Sequence, residues 1–136
     1  MMRLIFADTS YWIALFDRKD QNHKCSVKLS VGLKSSRIIV SDFVVFETIT
    51  FLNTSVKNHS LAMLFLDFIY EQDNIEVIEI GSELKEKSLQ VFKDYYDKDF
   101  SFTDCSSFAL MAFLSIKNAV SFDKHFSQIG ITTNRL

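Results

Sequence analysis

Leu4-Ile5-Phe6-Ala7-Asp8 is a run of apolar residues closed by an acid. A run this short and without alternation suits a strand buried on both faces, as in parallel sheets covered by helices on each side. From Ser10 to Phe16 the spacing turns helical, so strand and helix meet at Asp8. The same change recurs along the chain. Asp17 to Asn22 reads as a polar loop, and His23 to Ser36 as an amphipathic helix with Cys25, Leu29 and Leu33 at four-residue spacing. Arg37 to Ser41 predicts a second buried strand, followed by helices over 42–53 and from Asn58 to about Gln72, the latter apolar nearly all round. Ile75 to Ile80 alternates with Glu76 and Glu79, which predicts a strand nearer a sheet edge. Ser82 to Tyr96 predicts a solvated helix. Ser101 and Asp104 have the spacing of a helix N-terminal box, and the apolar stretch Cys105 to Ile116 behind them predicts a central helix. Ala119 to Phe122 and Ile131 to Thr133 supply the last strands. Strands alternating with helices imply an α/β layer structure with a mostly parallel sheet and right-handed crossovers. No repeat or linker divides residues 1–136, so one domain is expected.

Composition removes several classes. Among 136 residues there are no prolines and only three glycines, Gly32, Gly81 and Gly130, too far apart to share a phosphate-cradling loop. A formal charge of −2 supplies no global basic field, so any polyanion must be held locally. Cys25 and Cys105 cannot build a four-thiolate zinc site or a disulfide framework, and both are expected as reduced, buried thiols in a cytoplasmic protein. The apolar run before Asp8 is too short for a signal peptide. Phe108 to Leu114 falls far short of the roughly 20 residues of a membrane span, so no membrane association is expected.

In open α/β sheets ligands bind at the carboxyl ends of the strands. Asp8 follows the first strand, Asp104 stands at the start of the central helix, and Asp123 follows Ala119-Val-Ser-Phe122; all three can face one rim. Helix capping accounts for any one of them. It does not account for Glu47, which lies amid Val44, Val45, Phe46, Ile49 and Phe51, where an unpaired acid is costly to bury. Lys124 is the only lysine or arginine within three residues of these acids. Carboxylates that converge without cations repel one another, and a hard divalent ion with oxygen ligands, Mg²⁺ or Mn²⁺, relieves the repulsion. One or two such ions can activate water and polarise a phosphoryl oxygen, which makes phosphodiester hydrolysis the natural chemistry. Acids at strand ends also serve phosphatases and phosphoacceptor domains. A haloacid-dehalogenase-type phosphatase, however, needs a second aspartate where this chain has Ser10.

Asp8-Thr-Ser-Tyr-Trp-Ile-Ala-Leu-Phe16, the helix bearing Glu47, Ser101-Phe-Thr-Asp-Cys-Ser-Ser-Phe108 and Ser121-Phe-Asp-Lys-His-Phe126 together resemble the PIN domain, in particular the VapC-type toxin ribonucleases. The resemblance runs nearly end to end, with the segments in the family's order. It implies a PIN-like three-layer α/β fold with a mostly parallel central sheet flanked by helices. It also implies an endoribonuclease of a toxin–antitoxin pair, dependent on Mg²⁺ or Mn²⁺, with Asp8, Glu47, Asp104 and Asp123 as metal-binding catalytic acids. Thr9, Ser10 and Thr103 would support them through hydroxyl or backbone hydrogen bonds. The implied partners are an RNA substrate, a second copy of the chain, and an antitoxin whose C-terminal segment covers the site. The alternative is a catalytically silent PIN scaffold that binds RNA or a protein.

His125 reads as a packing and turn element, because imidazole suits softer ions than an all-oxygen site selects. His23 and His59 read as surface residues, and Asp42 as a helix cap beside Ser41. Tyr11 and Trp12 read as core or interface rather than base-stacking residues. Helices 42–53 and 58–72 carry more apolar surface than one side of a small sheet covers, which points to a dimer or partner groove. Lys24, Lys28, Lys34 and Arg37 form a mildly basic segment that fits either a solvated face or RNA backbone contact.

Overall fold

The computed structural model describes residues 2–136. Ile5, Phe6 and Ala7 have no exposed surface, because the strand they form, β1 (Leu4–Ala7), is the middle of a five-stranded sheet. The others are β2 (Arg37–Ser41), β3 (Ile75–Ile78), β4 (Asn118–Val120) and β5 (Thr132–Thr133), in the order β3-β2-β1-β4-β5. Every pairing is parallel, with Phe6 opposite both Ile39 and Ala119. β3 is an edge strand and all four of its residues are half-buried, as its alternating acids predict.

Helices α1 (Thr9–Phe16) and α2 (His23–Gly32) connect β1 to β2, and α3 (Asp42–Thr54) and α4 (His59–Glu71) connect β2 to β3. The chain then doubles back across the sheet through α5 (Ser82–Asp94) and α6 (Phe102–Phe113) to β4, and α7 (Lys124–Gln128) leads to β5. Right-handed crossovers in opposite directions put α1 to α4 over one face and α5 and α6 over the other, giving three layers. The reversal falls between β1 and β4. A sheet of this kind opens its ligand crevice there, beyond the carboxyl ends of those two strands.

Several expectations shift in detail. The helix expected over 23–36 ends at Gly32 and tightens into a 3₁₀ turn, Leu33–Ser35, which turns Leu33 into the core. Only Ser26 of α2 is buried, so the inward stripe runs through Ser26 rather than its neighbour, and Cys25 is exposed while Cys105 is buried. His23 is half-buried, its Nδ1 2.7 Å from the carbonyl oxygen of Ala14. Ser41 caps α3 by accepting from the amide of Val44, whereas Asp42 is the first helical residue and accepts from the amides of Phe43 and Ile80, tying the end of β3 to α3. The central helix starts at the predicted box, with Ser101 as its N-cap, but ends at Phe113, short of Ile116; it is buried without interruption from Asp104 to Met111.

One aromatic column reaches from the sheet to the rim. Phe126 of α7, fully buried, lies 6.2 Å from the ring of Phe6 and 4.9 Å from that of Phe108. Phe126→Ala is expected to cost about 3–5 kcal/mol. The loss should appear as a lower urea midpoint with an unchanged slope.

Candidate active site

The backbone of β1 continues one step past the strand, where the amide of Asp8 donates to the carbonyl of Val120 at 3.0 Å. Asp8 is also the N-cap of α1, extended at φ −84° and ψ 160°. A parallel ladder on one side and a helix start on the other leave its side chain one direction to take. Its Oδ2 accepts from Ser10 Oγ at 2.8 Å, from Ser121 Oγ at 3.0 Å and weakly from the Ser10 amide at 3.4 Å. Both hydroxyls use their lone pairs on the loop beyond β4: Ser10 Oγ accepts from the amide of Phe122 at 2.8 Å, and Ser121 Oγ from that of Asp123 at 3.0 Å. Two serines therefore join the end of β1 to the end of β4.

Asn134 holds the second serine in place. Its side-chain oxygen accepts from the amide of Ser121 at 2.9 Å, and its nitrogen donates to the Ser121 carbonyl at 2.8 Å. Asn134 itself is left-handed, at φ 59°, a conformation asparagine tolerates better than most residues.

Asp104 and Asp123 reach the rim as helix-start residues. Ser101 and Asp104 form the capping box the sequence predicts, with Asp104 Oδ2 accepting from the Ser101 amide at 3.1 Å. Asp123 caps α7, its Oδ1 accepting from the His125 amide at 2.9 Å. The His125 ring lies between them, with Nδ1 2.9 Å from Asp104 Oδ2 and 3.3 Å from Asp123 Oδ1, and its centroid is 5.1 Å from that of Phe100 in a T-shaped pair. The reading of His125 as a packing and turn element is thus too narrow: it also bridges two acids. Ligand atoms of Asp104, Asp123 and His125 all fall within 4.8 Å of one another, the only such group among the described residues; Asp8 lies outside it, although near enough to feel the charges of Asp104 and Asp123.

Every hydrogen bond to Asp8 falls on Oδ2, every one to Asp104 on Oδ2, and every one to Asp123 on Oδ1. Each carboxylate thus spends one oxygen on the fold and leaves the other unbonded. Among the described residues no lysine or arginine pairs with any of them. Burial pushes the Asp8 carboxyl from 3.8 up to about 7; the serine hydrogen bonds oppose this, and the charges of Asp104 and Asp123 add to it. Unbonded carboxylate oxygens gathered without cations fit a hard divalent ion.

Glu47 stands apart. It is half-buried on α3, makes no hydrogen bond and lies outside the group of close ligand atoms. The buried residues of α3 are Val44, Val45, Thr48 and Leu52, so helical rotation turns Glu47 away from the core and removes the burial cost expected of it. Of the supporting residues, only Ser10 touches an acid. Thr9 is buried with its hydroxyl unpartnered, and Thr103 contributes its carbonyl, which accepts from Ser106 and Ser107. Ser121 and Asn134 carry no mark in the sequence beyond the closeness of Ser121 to Asp123.

A family model described as PIN domain matches residues 5–131. A Mycobacterium tuberculosis protein named 23S rRNA-specific endonuclease VapC20 is 30% identical over 132 residues, 97% of this chain and 98% of the relative. A VapC ribonuclease of Archaeoglobus fulgidus is 33% identical over 125 residues, 88% of this chain and 77% of the relative. The crystal structure of VapC20, described as a sarcin-ricin loop cleaving toxin, superposes with a TM-score of 0.88 at 30% identity, covering 94% of this chain and 96% of that one. VapBC2 of Rickettsia felis, solved bound to a DNA fragment from its promoter, shares the fold at 13% identity, with a TM-score of 0.70 over 96% of this chain and 97% of that one.

The raised Asp8 pKa has a consequence for metal-free protein. Between about pH 4 and pH 7 the native state holds a proton that the unfolded chain has released, so stability falls as pH rises through that window, by up to roughly 4 kcal/mol. Asp8→Asn removes this group while keeping an oxygen for the two serines. In EDTA the melting temperature of the wild type should drop relative to that of Asp8→Asn as pH goes from 4 to 7, and the variant should be at least as stable at pH 8. A wild type that gains stability relative to the variant over the same interval contradicts the assignment.

Proposed function

The chain belongs to the PIN domain family, and on that premise we propose that it is a VapC-type toxin, an endoribonuclease that hydrolyses RNA phosphodiester bonds with water activated at a divalent metal centre. The observation that carries this reading is the division of labour within the three aspartates, where one oxygen of each holds the fold and the other is free. A bound Mg²⁺ or Mn²⁺, as one or two ions, would lower the pKa of water and neutralise charge on the phosphate.

Asp8, Asp104 and Asp123 would hold the cation, with those free oxygens available to it. Ser10 and Ser121 fix Asp8 so that only Oδ1 is available, and His125 keeps the side chains of Asp104 and Asp123 from swinging apart. Glu47 is the fourth acid, supported by the packing of α3 against both α1 and α6, the helices that start beside Asp8 and carry Asp104. Thr9 and Thr103 act through backbone placement of the residues beside them. The whole of residues 1–136 works as one nuclease domain.

The partners follow from the same reading: an RNA substrate, an antitoxin and a second copy of the chain. Phe46, Phe51, Met63, Leu64 and Tyr70 are exposed on α3 and α4, where a protein surface would cover them. Among the described residues no helix is long and apolar enough to cross a membrane. A cytoplasmic location suits an enzyme whose substrate is cellular RNA.

Incubating the protein with total cellular RNA and mapping new ends by sequencing tests the reading directly. Ends should appear with Mn²⁺ and not with EDTA, and Asp8→Asn or Asp104→Asn should lower cleavage by roughly two orders of magnitude or more. Identical ends from wild type and either variant would overturn it. Ser121→Ala makes a separate case, since it loses an orienting bond rather than a metal-binding oxygen. Its cation requirement should rise by roughly 10- to 100-fold, with cleavage restored at saturating Mn²⁺.

A further inference from the structure

Resting on the ribonuclease reading above, we infer that the turn between α5 and α6 is a stacking platform for an unpaired base of the RNA, with Tyr96 as its principal ring. Every residue from Phe92 to Asp99 is exposed. Tyr96 is 89% exposed and Phe92 53%, an arrangement that solvation alone would not favour for large rings. With Lys93, Tyr95, Lys98 and Phe100 they line a hollow of about 270 Å³ in which no acid takes part. Two acids of the same segment are engaged elsewhere or weakly: Asp94 accepts from Gln90 at 2.8 Å, and Asp97 faces Lys98 at 3.8 Å in an exposed pair that a phosphate can displace, while the third, Asp99, is exposed outside the hollow's lining.

Position decides what fills this hollow. Its floor, Phe100, lies 5.3 Å from the ring of Tyr95 on one side and 5.1 Å from that of His125 on the other, and His125 Nδ1 is 2.9 Å from Asp104. The hollow is therefore separated from the acids by a single ring, so a strand cleaved at the acids passes over it within a few nucleotides. Exposed aromatics interleaved with lysines are how proteins bind single strands: the rings accept bases by stacking and the lysines meet phosphates. A duplex hides the faces of its bases and gains nothing from the rings.

The probe is a short fluorescein-labelled single-stranded RNA of mixed sequence, bound to Asp8→Asn protein so that it stays intact. In that background Tyr96→Ala and Tyr96→Leu should each weaken binding by roughly 10-fold, while Tyr96→Phe stays close to the parent. Lys98→Gln should reduce the salt dependence by about one counterion. A blunt duplex of the same sequence should bind all of these proteins alike. Tyr96→Trp adds a direct readout, because the chain's one tryptophan, Trp12, is only 1% exposed. Emission from the new indole should be quenched by the single strand, and an unquenched indole on protein that binds RNA overturns the proposal. In the otherwise wild-type chain Tyr96→Ala should slow cleavage of total RNA and alter the ends produced. If Mn²⁺-dependent cleavage keeps its rate and its ends, the platform is refuted and the ribonuclease reading stands. Absence of metal-dependent cleavage from the wild type would refute that reading instead. If Tyr96→Ala leaves RNA binding intact and converts a dimer to monomer in size-exclusion chromatography, the face belongs to a second copy and the platform is again refuted.

Discussion

Two serine hydroxyls determine how closely the carboxylates of this protein approach one another. Ser10 and Ser121 each give their single proton to Asp8 Oδ2 and take an amide proton from the loop after β4. They offset part of the cost of burying Asp8, and in doing so they bring Asp123 to the same rim. The remaining repulsion appears as a carboxyl held at about 7. Charge-assisted hydrogen bonds are about twice as strong as neutral ones, so the pair grips best when Asp8 is ionised, the state a cation would favour.

The topology explains why this happens between β1 and β4. They are the neighbouring strands at which the crossovers reverse, where a sheet of this kind opens its crevice. Many phosphate-binding folds fill that opening with a glycine-rich loop whose amides face the anion. Here glycine is scarce and aspartates at helix starts occupy the same place, so on the proposed reading contact with a phosphate would pass through cations. Read in this light, the −2 formal charge is an average over a surface with one strongly acidic rim.

What was legible in the sequence was whatever depended on neighbours along the chain. The run ending at Asp8 announced a doubly buried strand and a helix start together, and Ser101 with Asp104 announced a capping box, because both signals are local. Glu47 looked buried from its apolar neighbours, yet helical rotation turns it outward; composition over a window does not record phase. The same loss of phase placed Cys25 inside when Ser26 is the buried residue of α2. His125 and Asn134 could not be read at all for what they do, since one meets Asp104 and the other clamps Ser121 only after strands distant in sequence have paired. The relation of Ser10 to Ser121 is legible only in three dimensions for the same reason.

Each aspartate of the rim serves a helix, whatever else it does: Asp8 caps α1, Asp104 closes the box of α6 and Asp123 caps α7. Glu47 caps nothing and bonds nothing. On the proposed reading the first three answer to two requirements, the helix and the cation, and the fourth to one. In a lineage that had abandoned RNA cleavage, helix capping would still preserve the aspartates long after their chemistry had ceased to matter. The glutamate, tied to nothing else in the fold, would be free to drift first.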